Sequence, residues 1–508
     1  MWRSVKQFVR KPLVVPPSTT LKELAEKFAV VSSDGGSVEG VVSERDIVRA
    51  PARAVSGFSP ARYLEIRARP SSDMPRFADL FVEELRRKKE EVLRVVGAGA
   101  DLASRYSRLL ERVWVGGVCA KRSFSRVFAV DSGSDEVEVA GGGVLLVTRS
   151  VALSTDGSEL RRLRLDALFP RSVRDYEDFK RLLREHLEHL AALDALEGGA
   201  ELVLLDGSLY GRMIHVIREL EVEGREDFLL EYVETYGELL TRALKAGVVV
   251  AGVSKDSRST VLKEELLLSE LRRLLSGVDS HVREQVMALW ESLRRRPRQA
   301  LEALRRLLRE GLDPAVYEVF EEARRATPDS KIIMAVGLGA GYTLPLRLSL
   351  ERVSMGITDL VVRGAREEVA LSLLEKVFPR AADRDGEAFR GRAASVLERL
   401  RSYPPVFTTY VVFSRGDDPV RVDVVAAGVA PTLEGSRLLS SVPDFVERVV
   451  SHLACMYAGR QGYNMLLLEA DRRVRTTPES MELYHKLAMK ELSELILHSR
   501  RERRFYTP

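Results

Sequence analysis

Apolar and polar residues change rhythm several times along this chain, and each change predicts an element. Near the start, Pro12-Leu-Val-Val reads as a short strand, and Thr19 or Thr20 caps an amphipathic turn from Leu21 to Phe28. Ala29-Val-Val and Val38 to Val42 read as a hairpin around a Ser-Asp-Gly-Gly turn, and Ser43 caps a short helix from Glu44 to Ala50. The Pro-, Ser- and Ala-rich stretch that follows has little periodicity. The pattern therefore predicts a small α+β block over residues 1–55 and a linker over 56–73. From Met74 to Trp114 the rhythm is helical, with Phe77, Leu80, Phe81 and Leu85 on one stripe and the charged run Arg86 to Glu91 on a solvated face.

A third region alternates strands and helices. Strands are expected at Arg126 to Val130, Gly143 to Arg149, Val151 to Ser154, Glu201 to Leu205 and Gly247 to Val253, the last closing with Ser254-Lys255. Helical periodicity covers Val173 to Leu196 and residues 213–245. The Arg- and Glu-rich stretch 261–328 carries no strand pattern and reads as a helical insertion. Strands return at Lys331 to Val336, Val406 to Phe413 and Pro419 to Val425, before helices at 443–458, 464–474 and 478–500. Alternation of this kind predicts an α/β sheet with a site at strand ends.

Two of those strands end alike, in Asp131-Ser-Gly-Ser and Asp206-Gly-Ser. An aspartate before Gly or Ser is a common turn residue. Two equivalent ones at one sheet rim would instead present paired carboxylates beside flexible backbone. The preceding helix offers Glu185 and Glu188, three apart and on one face, which otherwise read as surface glutamates. Three hard oxygen ligands from separate elements suit Mg²⁺ or Mn²⁺, and two such ions can clamp an in-line phosphodiester displacement, as in ribonuclease H-like nucleases. Lys255 and Arg258 can direct cations at a phosphate, or be exposed strand-end residues.

Composition narrows the class more than the activity. Forty-five per cent hydrophobic and 30% charged residues over 508 positions describe a globular protein of two to four domains, and the net charge of +4 is only mildly basic. Neither a membrane-length apolar run nor a signal peptide is read, so a cytoplasmic location is expected. Cys119 and Cys455 cannot form a disulfide framework and are expected as small buried hydrophobes; His186 and His189 lack zinc-motif partners and are expected on the surface. Gly337-Leu-Gly-Ala-Gly lacks the spacing of a dinucleotide loop, and no phosphate-binding GxxxxGK[ST] motif is present. Arg294-Arg-Arg-Pro-Arg and Arg501-Glu-Arg-Arg read as solvated runs that could touch a DNA backbone.

FAVDSGS, LVLLDGSLYG and AGVSKDSRSTVL, in that order, resemble the successive motifs of the archaeal NurA nuclease family. GYNMLLLEADRRVRTT is similar to the family's Tyr-Pro-x-x-Leu-x-x-Ala-His element, and TYVVFSRGDDPVRVDV to the strand pair before it. The resemblance spans residues 74–508. It implies a ribonuclease H-like mixed sheet with Asp131 and Asp206 as metal-binding aspartates, Glu188 (with Glu185 next) as the metal-binding glutamate, and Tyr463 as the active-site tyrosine. Asp471 stands where the family has histidine, and Asn464 where proline usually follows the tyrosine. A four-carboxylate Mn²⁺ or Mg²⁺ site is the implied outcome, and a catalytically impaired DNA-clamping adaptor the rival. The resemblance further implies a homodimer docked on a HerA-type hexameric ATPase that feeds it DNA during double-strand-break resection in homologous recombination. Separately, PLVVPPSTTLKELAEKF and DGGSVEGVVSERDIVRA resemble a CBS module with a shortened second strand and no second copy, whereas such modules normally work in pairs. A nucleotide-sensing regulator built on that block is the third reading, and the missing copy argues against it.

Overall fold

A computed structural model describes residues 13–15, 29–32, 38–42, 73–138, 142–353, 356–429, 437–460 and 462–491. The chain divides into two compact units, Met1–Ala98 and Gly99–Pro508. In the first, β1 (Leu13–Val15) pairs in parallel with β2 (Ala29–Ser32), which pairs antiparallel with β3 (Val38–Val42), with a register shift at Val31/Ser32. The expected hairpin is thus present. The expected helices at 21–28 and 44–50, the linker and Arg501-Glu-Arg-Arg lie outside the described residues. The helix Asp73–Arg87 places Phe77, Leu80, Phe81 and Leu85 on an exposed stripe.

The second unit holds an 11-stranded mixed sheet. Its strands are β4 (Trp114–Gly116), β5 (Val127–Glu138), β6 (Val144–Ser154), β7 (Glu159–Leu168), β8 (Leu202–Asp206), β9 (Val249–Ser254), β10 (Gly341–Thr343), β11 (Leu346–Leu348), β12 (Val406–Val412), β13 (Val420–Val425) and β14 (Arg437–Leu438). The central run β7-β6-β5-β8-β9 is an antiparallel meander followed by two strands parallel to β5, the order of a ribonuclease H-like core. Strands β13, β12, β11 and β14 extend it antiparallel beyond β9. Helices cover both faces, so the central strands are apolar on both sides. Phe128, Val130, Val203 and Leu205 face one core with the helices Val173–Glu197 and Phe228–Ala246, while Val127, Ala129, Leu202 and Leu204 face another with Asp444–Cys455 and Met465–Val474.

The insertion is helical as expected, with helices Val261–Leu274, Ser280–Ser292, Pro297–Arg309 and Pro314–Arg324. The next segment is not the expected strand. Asp329–Val336 is a helix, with Pro328 at its N-cap and Gly337 left-handed at its C-cap (φ 67°). Ile332 and Ile333 are buried side by side while Met334 is exposed, a pattern that strand alternation forbids. Strand Gly143 to Arg149 and strand Val151 to Ser154 are one strand, β6, and β7 had no expectation at all. No helix among the described residues is long and apolar enough to cross a membrane.

Candidate functional site

The largest departure from the sequence reading concerns Asp131. It does not end a strand: β5 runs straight through Asp131-Ser-Gly-Ser to Glu138, paired with β6 throughout. What ends at this point is the pairing with β8. The last rung joins Val130 to Leu205, so Asp131 and Asp206 follow side by side just where the parallel strands part. Strand alternation puts both on the face of Ala129 and Leu204, toward the C-terminal helices. After Asp206 the chain turns through Gly207 (φ 105°) and Ser208, which caps the short helix Leu209–Met213.

Parting strands leave backbone carbonyls without ladder partners, and buried carbonyls need donors. Two arginines supply them: Arg184 donates to the Ser132 carbonyl (3.0 Å) and Arg212 to that of Asp206 (2.8 Å). Arg212 is buried, and it also donates to Glu188 and approaches Nε2 of His189 (3.1 Å). Glu188 is buried too. Its other oxygen accepts from the Ser132 hydroxyl (2.5 Å), so it reaches the parting strands from the opposite helical layer. Glu185, one turn earlier, faces elsewhere. It bonds His215 (2.8 Å) and the Tyr232 hydroxyl (2.5 Å); burial alone would raise its pKa, but His215, Arg212 and Tyr232 hold it near 2.

From the other face, Tyr463 is buried with its hydroxyl on Asp206, and Lys255 Nζ stands 4.5 Å from its ring centroid. Asn464 caps the helix Met465–Val474 by accepting from the amides of Leu466 (3.1 Å) and Leu467 (3.0 Å). Its φ of −146° is one that proline cannot adopt, which accounts for the departure from the family element. Asp471 lies on this helix and pairs with Arg475 (2.5 Å). The helix sits close on β5: a Cβ at Gly133 would lie 2.5 Å from the Val474 carbonyl oxygen. Gly252 plays the same part on β9, where a Cβ would fall 2.5 Å from the Gly207 carbonyl.

The electrostatics of this cluster are those of too many carboxylates. Burial first, and then the charges of Glu188 and Asp206, together push the Asp131 carboxyl up to about 7. Asp206 is raised by burial against the pull of Lys255 and the Tyr463 hydroxyl; Glu188 is raised by burial against Arg212. Tyr463 is raised by burial and by Asp206 and Asp131. Asp471 adds negative charge to Asp131, Asp206 and Tyr463. Among the described residues, no three or more His, Cys, Asp or Glu side chains are grouped so as to hold a metal ion. The donor set is nevertheless all oxygen, partly desolvated and under-neutralised, and a hard divalent cation fits that chemistry.

Lys255 and Arg258 are exposed and line a cavity that opens beside Asp206. Three residues of the site were missed from sequence. Ser132 lies inside the quoted FAVDSGS motif but was read as a turn position, and Arg212 follows LVLLDGSLYG directly and was given no role. Asp423, in the middle of β13, is fully buried and accepts from the Ser208 hydroxyl (2.6 Å), the Tyr210 amide (3.1 Å), Thr408 (2.7 Å) and Arg421 (2.8 Å), which fixes the turn after Asp206. An Arg421-x-Asp423 pair inside a valine-rich strand was its available signal. His186 and His189 are buried rather than on the surface, stacked edge-on against Phe228 and Tyr232. Cys119 and Cys455 are exposed rather than buried.

Comparison with known proteins adds a family. A family model described as NurA domain matches residues 125–476, and one described as CBS domain matches residues 5–53. Among solved structures, the NurA nuclease from Sulfolobus solfataricus is similar at a TM-score of 0.46 and 14% identity, over 82% of this chain and 98% of that one. NurA bound to dAMP and manganese is similar at a TM-score of 0.33 and 14% identity, over 82% of this chain and 96% of that one. No curated protein matches. Since the matched segment 125–476 covers well over half of the 508 residues, this chain belongs to the NurA family, with a CBS domain at its N-terminus.

Proposed function

We propose that this protein is a metal-dependent deoxyribonuclease whose site is built by Asp131, Glu188, Asp206 and Asp471 as metal ligands, with Tyr463 beside them. The observation that carries this is the meeting of Asp131 and Asp206 where two parallel strands part, with the Asp131 carboxyl raised to about 7 by burial among like charges. A cluster so arranged is costly unless a cation joins it. A divalent ion, when bound, supplies the Lewis acidity for phosphodiester hydrolysis. The chain's own residues do the rest. Tyr463 fixes the Asp206 carboxylate through its hydroxyl. Arg212 holds Glu188 and the Asp206 carbonyl in one grip. Lys255 and Arg258 present cations to the DNA backbone as it enters.

The NurA structure with dAMP and manganese makes Mn²⁺ the first ion to try, with Mg²⁺ second. Family membership extends the proposal to DNA-end processing in double-strand-break resection, as a homodimer working with a HerA-type translocase. The test is incubation of the purified protein with end-labelled linear DNA, with and without Mn²⁺. Cutting that needs the ion and disappears in Asp206→Ala supports the proposal; none under any ion overturns it. A second reading, a DNA-clamping adaptor with an impaired site, is favoured by one observation: Asp471 is paired with Arg475 rather than free. Metal-independent DNA binding without cutting would select it.

A further inference from the structure

The cavity beside Asp206 measures about 740 Å³ and is lined by five cations and by the carboxylates of Asp206, Asp256 and Glu264. Lys255 and Arg258 come from the loop after β9, Arg421 from β13, Arg352 from the 350–353 turn, and Arg294 from the helical insertion. Arg294 belongs to the Arg294-Arg-Arg-Pro-Arg run, whose sequence reads as a solvated run that could touch a DNA backbone. It remains exposed, with its guanidinium held by the Arg352 carbonyl (3.1 Å) and by Glu264.

The pairing is uneven, with Glu265 and Asp423 behind the lining supplying two further carboxylates. Arg421 is neutralised by Asp423 (2.8 Å). Arg294 and Arg352 converge on the single carboxylate of Glu264, and Arg352 has Glu265 as well (2.9 Å). Lys255 and Arg258 form no salt bridge among the described residues. Burial, and then Arg352, lower the Arg294 guanidinium to about 10, as expected of a cation crowded by another. An anion entering here would relieve both. The nearby helix Val261–Leu274 cannot hold it by its N-terminus, because Asp329 already takes the amides of Leu262 (3.1 Å) and Lys263 (2.8 Å). Guanidinium forks remain, and these match phosphate geometry. Base recognition is absent: the one aromatic ring in the lining, Tyr210, is buried with its hydroxyl on the Ser349 carbonyl, so no open ring face is offered for stacking.

We propose that this cavity is a backbone-phosphate subsite of the substrate strand, in which Arg294 and Arg352 clamp a phosphate other than the one that is cut, without reading the base. The inference rests on the nuclease reading of the neighbouring carboxylates, but its binding arm does not need cutting. In EDTA, a labelled single-stranded oligonucleotide should bind the full-length Arg294→Gln protein about tenfold more weakly. The slope of log affinity against log salt should fall by about 0.7, the value of one phosphate contact on a single strand. An abasic oligonucleotide should bind wild type as well as a normal one. With Mn²⁺, Arg294→Gln should raise KM and leave kcat unchanged. Scanning single methylphosphonate linkages along the strand should find one that weakens wild type and has no further effect on Arg294→Gln. Glu264→Gln, which removes the competing carboxylate, should tighten binding. An unchanged salt slope in Arg294→Gln, or a methylphosphonate loss that persists fully in it, overturns the subsite. Absence of cutting alongside these binding results overturns only the nuclease reading.

Discussion

Replacing Asp131 by asparagine should stabilise the metal-free protein, and increasingly so as pH rises. In the folded protein the Asp131 carboxyl keeps its proton until about pH 7, whereas in the unfolded chain it releases it near the ordinary 3.8. Between those values the folded state binds more protons than the unfolded one, so this group makes folding less favourable as pH climbs, and the loss is complete above pH 7. The full separation corresponds to about 4 kcal/mol, of which about 3 kcal/mol accrues between pH 5 and pH 8. For a folding unit of roughly 400 residues, 3 kcal/mol is a melting-temperature change of about 3 °C. Calorimetry in EDTA at pH 5 and pH 8 should show the gap between Asp131→Asn and wild type opening by that amount. Adding Mn²⁺ should raise the melting temperature of wild type at pH 8 and leave that of the variant unmoved. A gap that is constant with pH, or wider at pH 5, would refute the charge-crowding argument.

Four further outcomes follow from the same geometry. Glu188→Gln should cost more activity than the roughly 100-fold lost with an outer metal-shell partner, while Glu185→Gln should stay within about tenfold; a reversed order in steady-state cleavage would shift the site by a helical turn. Asp471→Ala should lose most activity and Asp471→His retain much of it, with the histidine form favouring Mn²⁺ over Mg²⁺ more than the parent; equal rates in all three would leave Asp471 as an ordinary surface acid. Gly133→Ala should destabilise by about 1–3 kcal/mol and slow cleavage, since its methyl group would displace the Val474 backbone and with it Asp471; thermal melting and kcat together check this. A chain beginning at Asp73 should fold and cut, as judged by its melting profile and cleavage of linear DNA, and loss of either would show that the CBS block contributes to the nuclease unit.

Much of the core was legible because apolar runs such as Leu202 to Leu205 and Val249 to Val253 are buried on both faces, which leaves an unbroken signal. Edge strand β7 was invisible for the converse reason: Arg161, Arg162 and Arg164 interrupt it, and Leu163 and Leu165 are exposed. The Asp-Ser-Gly-Ser after Val130 looks like a turn by composition, yet it is strand because β6 supplies its ladder and Gly133 makes room for a helix backbone. Helical spacing put Glu185 and Glu188 on one face but could not say which points at the strands. That choice is made by Arg212, whose carbonyl and carboxylate contacts come from elsewhere in the chain. The places of Asp423 and Arg294 were not legible, because their partners lie 215 positions away at Ser208 and 58 positions away at Arg352.

The packing of the helix Met465–Val474 against β5 also sets a clock on the ribosome. Asp131 and Asp471 are 471 − 131 = 340 residues apart, and Tyr463 is almost as late. At typical translation rates that interval lasts on the order of half a minute. Throughout it the nascent chain already carries Asp131, and soon Glu188 and Asp206, but has neither the tyrosine that fixes Asp206 nor the helix that closes over Gly133. Truncated products ending before residue 463 share that incompleteness. The carboxylate cluster is therefore completed only late in synthesis, when the residues around Tyr463 and Asp471 emerge.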